Sequence, residues 1–393
     1  MGEPSNSQTQ TALTSKLFMP KSPRFLFVCC QVGAEQACKQ ELTTRYPGLR
    51  FAFSRPGFMT FKVVDPKIKV KTFRLWSTFA RLWGWSAGKA INDDADLLAT
   101  DMAEQMSALC KKTPLTSLHF WQRDTSQPGK GGFEPGISPV AHQASKLLVE
   151  KLKPQFPDMR CNKVSKTDER TICVILVAPN EWWLGWHDAS SIAQTWPGGA
   201  PPIQLPGSAV NRAWLKINEA VLWSELPIHK TDVVAEIGSA PGGASQYLLS
   251  LGAKVIAIDP AAMDPVVLKD RGLKHIRRKA RDVPKKDLEN VRWLTIDINM
   301  PPSYTIEVIR DYVLERGLPV RGIIATLKLP DWKLATEVQT YRKQLEDLGF
   351  GTVQTRQLAF NRQEICLVAV RKRKLPTRVP IGKKPSSKRQ PKS

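Results

Sequence analysis

The sequence predicts an α/β chain, with a doubly wound, mostly parallel sheet in the C-terminal half and an α+β region before it. Three observations carry that prediction. Beyond residue 207, short apolar runs alternate with amphipathic ones, the pattern of strands and helices taken in turn. Among them Ala235–Pro260, AEIGSAPGGASQYLLSLGAKVIAIDP, reads as a strand, a glycine-rich turn, a helix and a second strand ending in an acid. Before residue 195 the pattern differs, with tryptophan-rich strands that often follow one another directly.

Taken in order, residues 1–22 are polar and featureless, which predicts a mobile N-terminus. RFLFVCCQVG alternates as a strand ending at Gly33, AEQACKQELTTRY has helical spacing, and LRFAFSRPGFMTFKV suggests a hairpin turning at Pro56-Gly57. Residues 23–68 thus form a small β-α-β-β unit. A second block, 69–194, holds FRLWSTFARLWGW as strands or helices, the strand LHFWQRD, the amphipathic helix PVAHQASKLLVEKL, and the strands RTICVILVA and EWWLGWH. Within it, TSQPGKGGFEPG predicts an exposed, flexible loop. TWPGGAPPIQLPG, residues 195–207, has too many prolines and glycines for an element interior and is expected to be a linker. In 208–371 the strands are VVAEI, KVIAI, LKHI, WLTID, GIIATLK, TVQTRQL and EICLVAV. Residues 372–393 contain no acid and little that is apolar, so a disordered basic tail is expected.

Composition narrows the partners. Lys and Arg number 58 against 36 Asp and Glu, a formal net charge of +22. Such an excess suits a polyanion, with nucleic acid first and an anionic membrane surface second. There is no apolar run of about 18 residues and no apolar signal core at the N-terminus, so a soluble, cytoplasmic protein is expected. The seven cysteines are scattered, mostly in apolar runs and without a CxxC pair. They read as reduced core residues rather than bridges or metal ligands, and no metal is expected. Trp83, Trp85, Trp121, Trp182, Trp183 and Trp186 are candidates for stacking on bases, although core packing is the commoner role of tryptophan.

The glycine turn restricts the small-molecule partner. A phosphate-binding P-loop needs Lys-Ser/Thr after its last glycine, but Gly243 is followed by Ala244-Ser245. A dinucleotide loop needs GxGxxG with N–H groups facing a pyrophosphate, whereas this turn is Gly238-Ser239-Ala240-Pro241-Gly242-Gly243. Pro241 has no N–H to give, which leaves the turn poor in anion donors. A cofactor without phosphates fits better. The glycines admit a flat nucleoside and an amino-acid tail, and Asp259, 21 residues after Gly238, stands where an acid takes ribose hydroxyls. S-adenosylmethionine has that shape. The alternative is a glycine-rich turn that only helps a helix pack on a sheet.

Reaction sites of open α/β sheets lie outside the carboxyl ends of the strands. WLTID brings Asp297 to that edge and GIIATLK brings Lys328. EICLVAV, if it is an antiparallel edge strand, starts there with Glu364, and the helix NRAWLKINEAVLW carries Lys216 over the same pocket. Singly, Lys216 reads rather as a solvated helix residue, while Asp297 reads equally as a cap and Glu364 as a surface charge. Together, two lysines and two carboxylates predict a site in which one lysine, its pKa lowered by the second ammonium and by burial against the pull of the acids, deprotonates a ribose hydroxyl.

These residues carry a resemblance. Lys216, Asp297, Lys328 and Glu364 resemble the Lys-Asp-Lys-Glu tetrad of the FtsJ/RrmJ-type RNA ribose 2′-O-methyltransferases. IQLPGSAVNRAWLKINEA, EIGSAPGGASQYL, TLKLPDWK and NRQEICLVAVRK resemble more closely the RlmM group, bacterial 23S ribosomal RNA cytidine 2′-O-methyltransferases, from about Arg24 to Arg371. The resemblance implies a ferredoxin-like unit at 23–68, a THUMP-like RNA-binding domain at 69–194 and a Rossmann-like methyltransferase domain at 208–371. It implies Lys328 as proton acceptor, with Lys216, Asp297 and Glu364 arranging it and the ribose. Ala240 to Gly243 would line S-adenosylmethionine, with Asp259 at its ribose and Asp297 against it. Three positions depart from the family pattern: Ala213 replaces a usual serine, Lys279 an acid for which Asp282 offers a substitute from a shifted loop, and Glu236 an aspartate. The expected function is ribose methylation of a cytidine in 23S rRNA. The alternatives are another RNA such as tRNA, or an RNA-binding assembly factor without catalysis.

Overall fold

The computed structural model describes residues 23–111 and 115–371. The expected mobile N-terminus and basic tail lie outside the described residues. The first part contains β1 (Phe25–Cys29), α1 (Glu35–Arg45), β2 (Leu49–Arg55), β3 (Phe58–Val63), β4 (Leu82–Ile91), α2 (Ala95–Leu109), β5 (Ser117–Gln122), α3 (Pro139–Leu152), β6 (Arg160–Cys161), β7 (Arg170–Ala178) and β8 (Glu181–Asp188). Its eight strands form one sheet in the order β2-β3-β1-β4-β8-β7-β5-β6, so the β-α-β-β unit and the following block share a continuous ladder.

α2 is an element that the pattern reading passed over, although its signals are local. Asp94 caps it, its carboxylate accepting from Asp96 N and Leu97 N, and Leu98, Met102 and Met106 repeat every four residues on the buried face. α3 has Ser138 as N-cap and Pro139 in its first turn. Both helices cover one face of the sheet, packing on Phe120, Trp182 and Leu184. Of FRLWSTFARLWGW only the part from Leu82 is strand. Trp83, Trp85, Trp121 and Trp182 are buried. Trp183 is half-buried and stacks on Phe53 at 5.5 Å between ring centres, and Trp186 lies 4.2 Å beneath the Arg170 guanidinium.

The second part contains α4 (Ala213–Ser224), β9 (Val233–Ile237), α5 (Gly243–Ser250), β10 (Lys254–Ile258), α6 (Pro265–Leu268), β11 (Leu273–Ile276), β12 (Trp293–Ile296), α7 (Pro302–Arg310), β13 (Gly322–Lys328), α8 (Val338–Asp347), β14 (Thr352–Arg356) and β15 (Glu364–Val370). The sheet order is β11-β10-β9-β12-β13-β15-β14. The first five strands are parallel, and β15 runs antiparallel to both β13 and β14. It was expected at the edge; instead it is inserted between β13 and β14, which suits its nearly uninterrupted burial on both faces.

The two parts meet over a polar junction. Arg81, just before β4, makes a two-toothed ion pair with Asp124 at 2.6 and 2.7 Å, and Arg81 and Asp124 are 4% and 2% exposed. Arg356, at the end of β14, donates to Arg81 O at 2.9 Å and to Gly199 O at 3.1 Å. Trp196–Ala200 is therefore buried structure and not loose chain, because its carbonyls satisfy two buried guanidiniums: Arg81 Nε also donates to Gly198 O at 3.0 Å. The loop expected to be flexible is tied as well: Arg212 pairs with Glu134 and Arg362 Nε donates to Pro128 O at 2.9 Å, leaving the tip Lys130–Gly132 exposed. All seven cysteines are free, six of them buried. Among the described residues no helix is long and apolar enough to cross a membrane.

Candidate active site

Each of the four polar residues reaches the carboxyl edge of the second sheet by its own element. Asp297 is the first residue past β12, Lys328 the last of β13, and Glu364 the first of β15, where it is the direct ladder partner of Lys328. Lys216 comes from the first turn of α4, which lies over that edge. The ammonium and carboxyl groups close a ring. Lys328 Nζ is 2.5 Å from Glu364 Oε2 and 2.9 Å from Asp297 Oδ1; Lys216 Nζ is 3.0 Å from Glu364 Oε1 and also pairs with Asp297. Side-chain exposure runs from 8% for Glu364 to 26% for Asp297, so the ring is sunk but reachable.

The electrostatics correct one expectation. Burial pulls the Lys328 ammonium down, but the carboxylates of Asp297 and Glu364 together outweigh it and hold the group above the ordinary lysine range, not below it. Two carboxylates face it against one like charge. Glu364 shows the complement: burial pushes it up, while Lys216 and Lys328 outweigh that and hold it at about 2. In β9, Glu236 is different again. Buried and bonded by the Ser245 hydroxyl at 2.5 Å, it is pushed by burial to about 8, with Asp297 and Asp259 adding to the rise. A water-sized cavity of about 30 Å³ lies among Ala213, Lys216, Glu236, Thr295, Asp297 and Cys366. Ala213, where the family pattern has serine, therefore faces this cavity with a methyl.

The glycine turn joins β9 to α5. Gly238 has φ +79°, and a Cβ there would stand 2.4 Å from Asp297 O, so only glycine lets the turn pass the tetrad strand. A Cβ on Gly243 would fall 2.0 Å from Asn211 Oδ1, whose oxygen also takes Ala213 N at the start of α4. Asp259 stands past β10, its Oδ2 accepting from Ala240 N at 3.1 Å and its Oδ1 from Ala261 N at 2.8 Å. Ser239 is 3% exposed, and its hydroxyl has no partner among the described residues. These features fit S-adenosylmethionine: an unpartnered buried hydroxyl for its polar tail, side-chain-free backbone for close approach, and a fixed carboxylate for ribose hydroxyls. Lys279 and Asp282 both lie exposed in the turns after β11.

Sequence reasoning passed over Gln31, Glu219, Gln357 and Asn361, which hold the segment leading into Glu364. Glu219 lies one turn beyond Lys216 on α4 and accepts from Ala359 N and Phe360 N at 2.8 and 3.0 Å. Asn361 was in view within NRQEICL, but its bond to Glu364 and the distant origin of Gln31 leave no local pattern.

Residues 209–346 match the family model of the FtsJ-like methyltransferases. With the strand order and the turn described above, this part of the chain is an FtsJ-like methyltransferase domain, a class whose cofactor is S-adenosylmethionine. Curated relatives carry the name "Ribosomal RNA large subunit methyltransferase M". That of Methylococcus capsulatus is 28% identical over 83% of this chain and 91% of its own length, and that of Azotobacter vinelandii 23% over 88% and 87%. The one from Halorhodospira halophila is 30% identical over 45% of this chain, and there the chain spans about half, 51%, of the relative. Among solved structures, TrmN from Thermus thermophilus aligns at 12% identity over 88% of this chain and 99% of its own, with a TM-score of 0.34, a likeness on which nothing further rests.

Proposed function

We propose that this chain is an S-adenosylmethionine-dependent RNA ribose 2′-O-methyltransferase of the cytoplasm, acting on a cytidine of 23S ribosomal RNA. The observation that carries the reading is the closed ring of Lys216, Asp297, Lys328 and Glu364 beside the Gly238–Gly243 turn. Relatives named for the large ribosomal subunit support the choice of RNA. Bound at the turn, with Ser239 to Gly243, Asp259 and Asp297 around it, S-adenosylmethionine supplies the methyl group. Lys328 Nζ, as the free amine, takes the proton of the ribose 2′ hydroxyl. Asp297 and Glu364 hold Nζ in place, and Lys216 neutralises and orients the two carboxylates. Residues 208–371 form the catalytic unit in this reading. The ferredoxin-like 23–68 and THUMP-like 69–194 regions hold RNA, with the basic excess supplying phosphate contacts that weaken with salt.

Mapping ribose methylation in RNA from a strain lacking the gene tests the target. The expected result is loss of one 2′-O-methylcytidine from 23S rRNA. An intact 23S pattern with a missing tRNA mark would overturn the choice of substrate.

A further inference from the structure

Glu364 is the last member of a hydrogen-bond chain that begins in the other sheet. Gln31 lies two residues past β1 and is 3% exposed. Its Nε2 donates to the backbone oxygen of Asn361, and its Oε1 accepts from Gln357 Nε2 at 2.6 Å. Gln357 Nε2 also donates to Arg362 O at 2.9 Å. Asn361, fully buried, accepts Leu358 N on Oδ1 at 2.9 Å and gives its Nδ2 to Glu364 Oε1 at 3.1 Å. That oxygen is the one Lys216 holds, while Lys328 holds the other. The carboxylate is thus fixed by three donors, and the third is positioned from the first sheet.

The Gln31 and Asn361 amides each have donor and acceptor partnered, which fixes their orientation, whereas Gln357 is held through its Nε2 alone; losing one partner leaves the others to rearrange. The turn 357–362 has no strand or helix of its own to hold it; Thr78 O takes Gln357 N and Pro128 O takes Arg362 Nε at its two ends, while Gln31 and Glu219 hold its middle from either side. We propose that Gln31 is a positioning residue for methyl transfer: through Asn361 it sets the orientation of Glu364, so that the N-terminal part of the chain completes the geometry of the catalytic ring. This rests on the tetrad reading above.

The test uses the full chain and compares Gln31→Met, which keeps length and removes both hydrogen-bonding atoms, with Asn361→Asp, which keeps the acceptor and removes the donor to Glu364. Single-turnover methyl transfer, calorimetric affinity for S-adenosylmethionine, affinity for the target RNA and melting temperature are read together. Both variants are expected to lose about tenfold in rate, the scale of a modest misplacement of a reacting group, with both affinities held within about twofold. The rate of Asn361→Asp should also fall off at higher pH on the acid side than that of the parent, because the new carboxylate faces Glu364. Should Gln31→Met not fold, Gln31→Leu removes the same donor to Asn361 O with a smaller side chain. Parental turnover in Gln31→Met, or in Gln31→Leu where it stands in, or a loss of RNA affinity as large as the loss of rate, would overturn the proposal. Full turnover in Lys328→Ala would instead remove the tetrad reading beneath it.

Discussion

Two pairs of buried ionisable groups, one in each sheet, resolve their burial in opposite ways. In the first, His119 and His187 are enclosed, each with Nε2 2.9 Å from a backbone carbonyl, Lys163 O and Gln194 O respectively. Burial pushes His119 down to about 3 and His187 to about 4, so both are neutral near pH 7. In the second, burial is opposed by paired charges, and Glu364 and Lys328 are held ionised at an edge that opens to solvent. Where burial prevails the group behaves as packing, and where partners hold the charge against burial, at a crevice, it is available for chemistry.

The sharpest way to break this contrast is Lys328→Ala. Methyl transfer should fall by about 10³-fold, about 4 kcal/mol of barrier, with calorimetric affinity for S-adenosylmethionine nearly intact. In the parent, single-turnover rate should climb with pH through the neutral range, since the free amine grows as pH approaches a raised lysine pKa; a rate independent of pH from 6 to 9 would remove Lys328 from the proton-accepting role.

At the junction, Asp124→Ala leaves Arg81 buried without its partner. A loss of about 3–5 kcal/mol in denaturant unfolding is expected. A change under about 1 kcal/mol, the range of exposed pairs, would show the junction to be wetter than its burial implies.

The smallest expected effect separates the sheets by pH. The histidines have folded pKa values below their unfolded ones, so their contribution to stability is full above about 6.5 and is lost as pH falls. Glu236 has a raised pKa, so its contribution is full below about 4.3 and is lost as pH rises through about 8. Glu236→Gln should flatten the decline of the melting temperature between about pH 4.3 and 8 by a few degrees and leave the decline below that window unchanged. A decline over that window identical in parent and variant would show that Glu236 ionises freely.

Much of the second sheet was legible because its strands are short apolar runs bounded by turns, and all seven fall where the pattern put them. Asp297, Lys328 and Glu364 were legible as strand-end positions and Lys216 as a helix position over the same edge, and the structure brings the four together. What escaped depends on contacts between distant residues. The insertion of β15 between β13 and β14 is set by pairing that alternation does not encode. The burial of Trp196–Ala200 answers to Arg81 and Arg356, more than a hundred residues away on either side. α2 was readable from Asp94 and its four-residue spacing, and was overlooked beside the louder tryptophan segments. The direction of the Lys328 shift required distances, since burial and two carboxylates pull against each other.

Because Lys328 and Glu364 face each other across adjacent strands, the gap between them is a lattice spacing of the sheet, independent of the length of chain that joins β13 to β14. Insertions between α8 and β14 should therefore leave the Lys328–Glu364 ion pair in register, whereas a one-residue slip of β15 would turn its carboxylate to the opposite face.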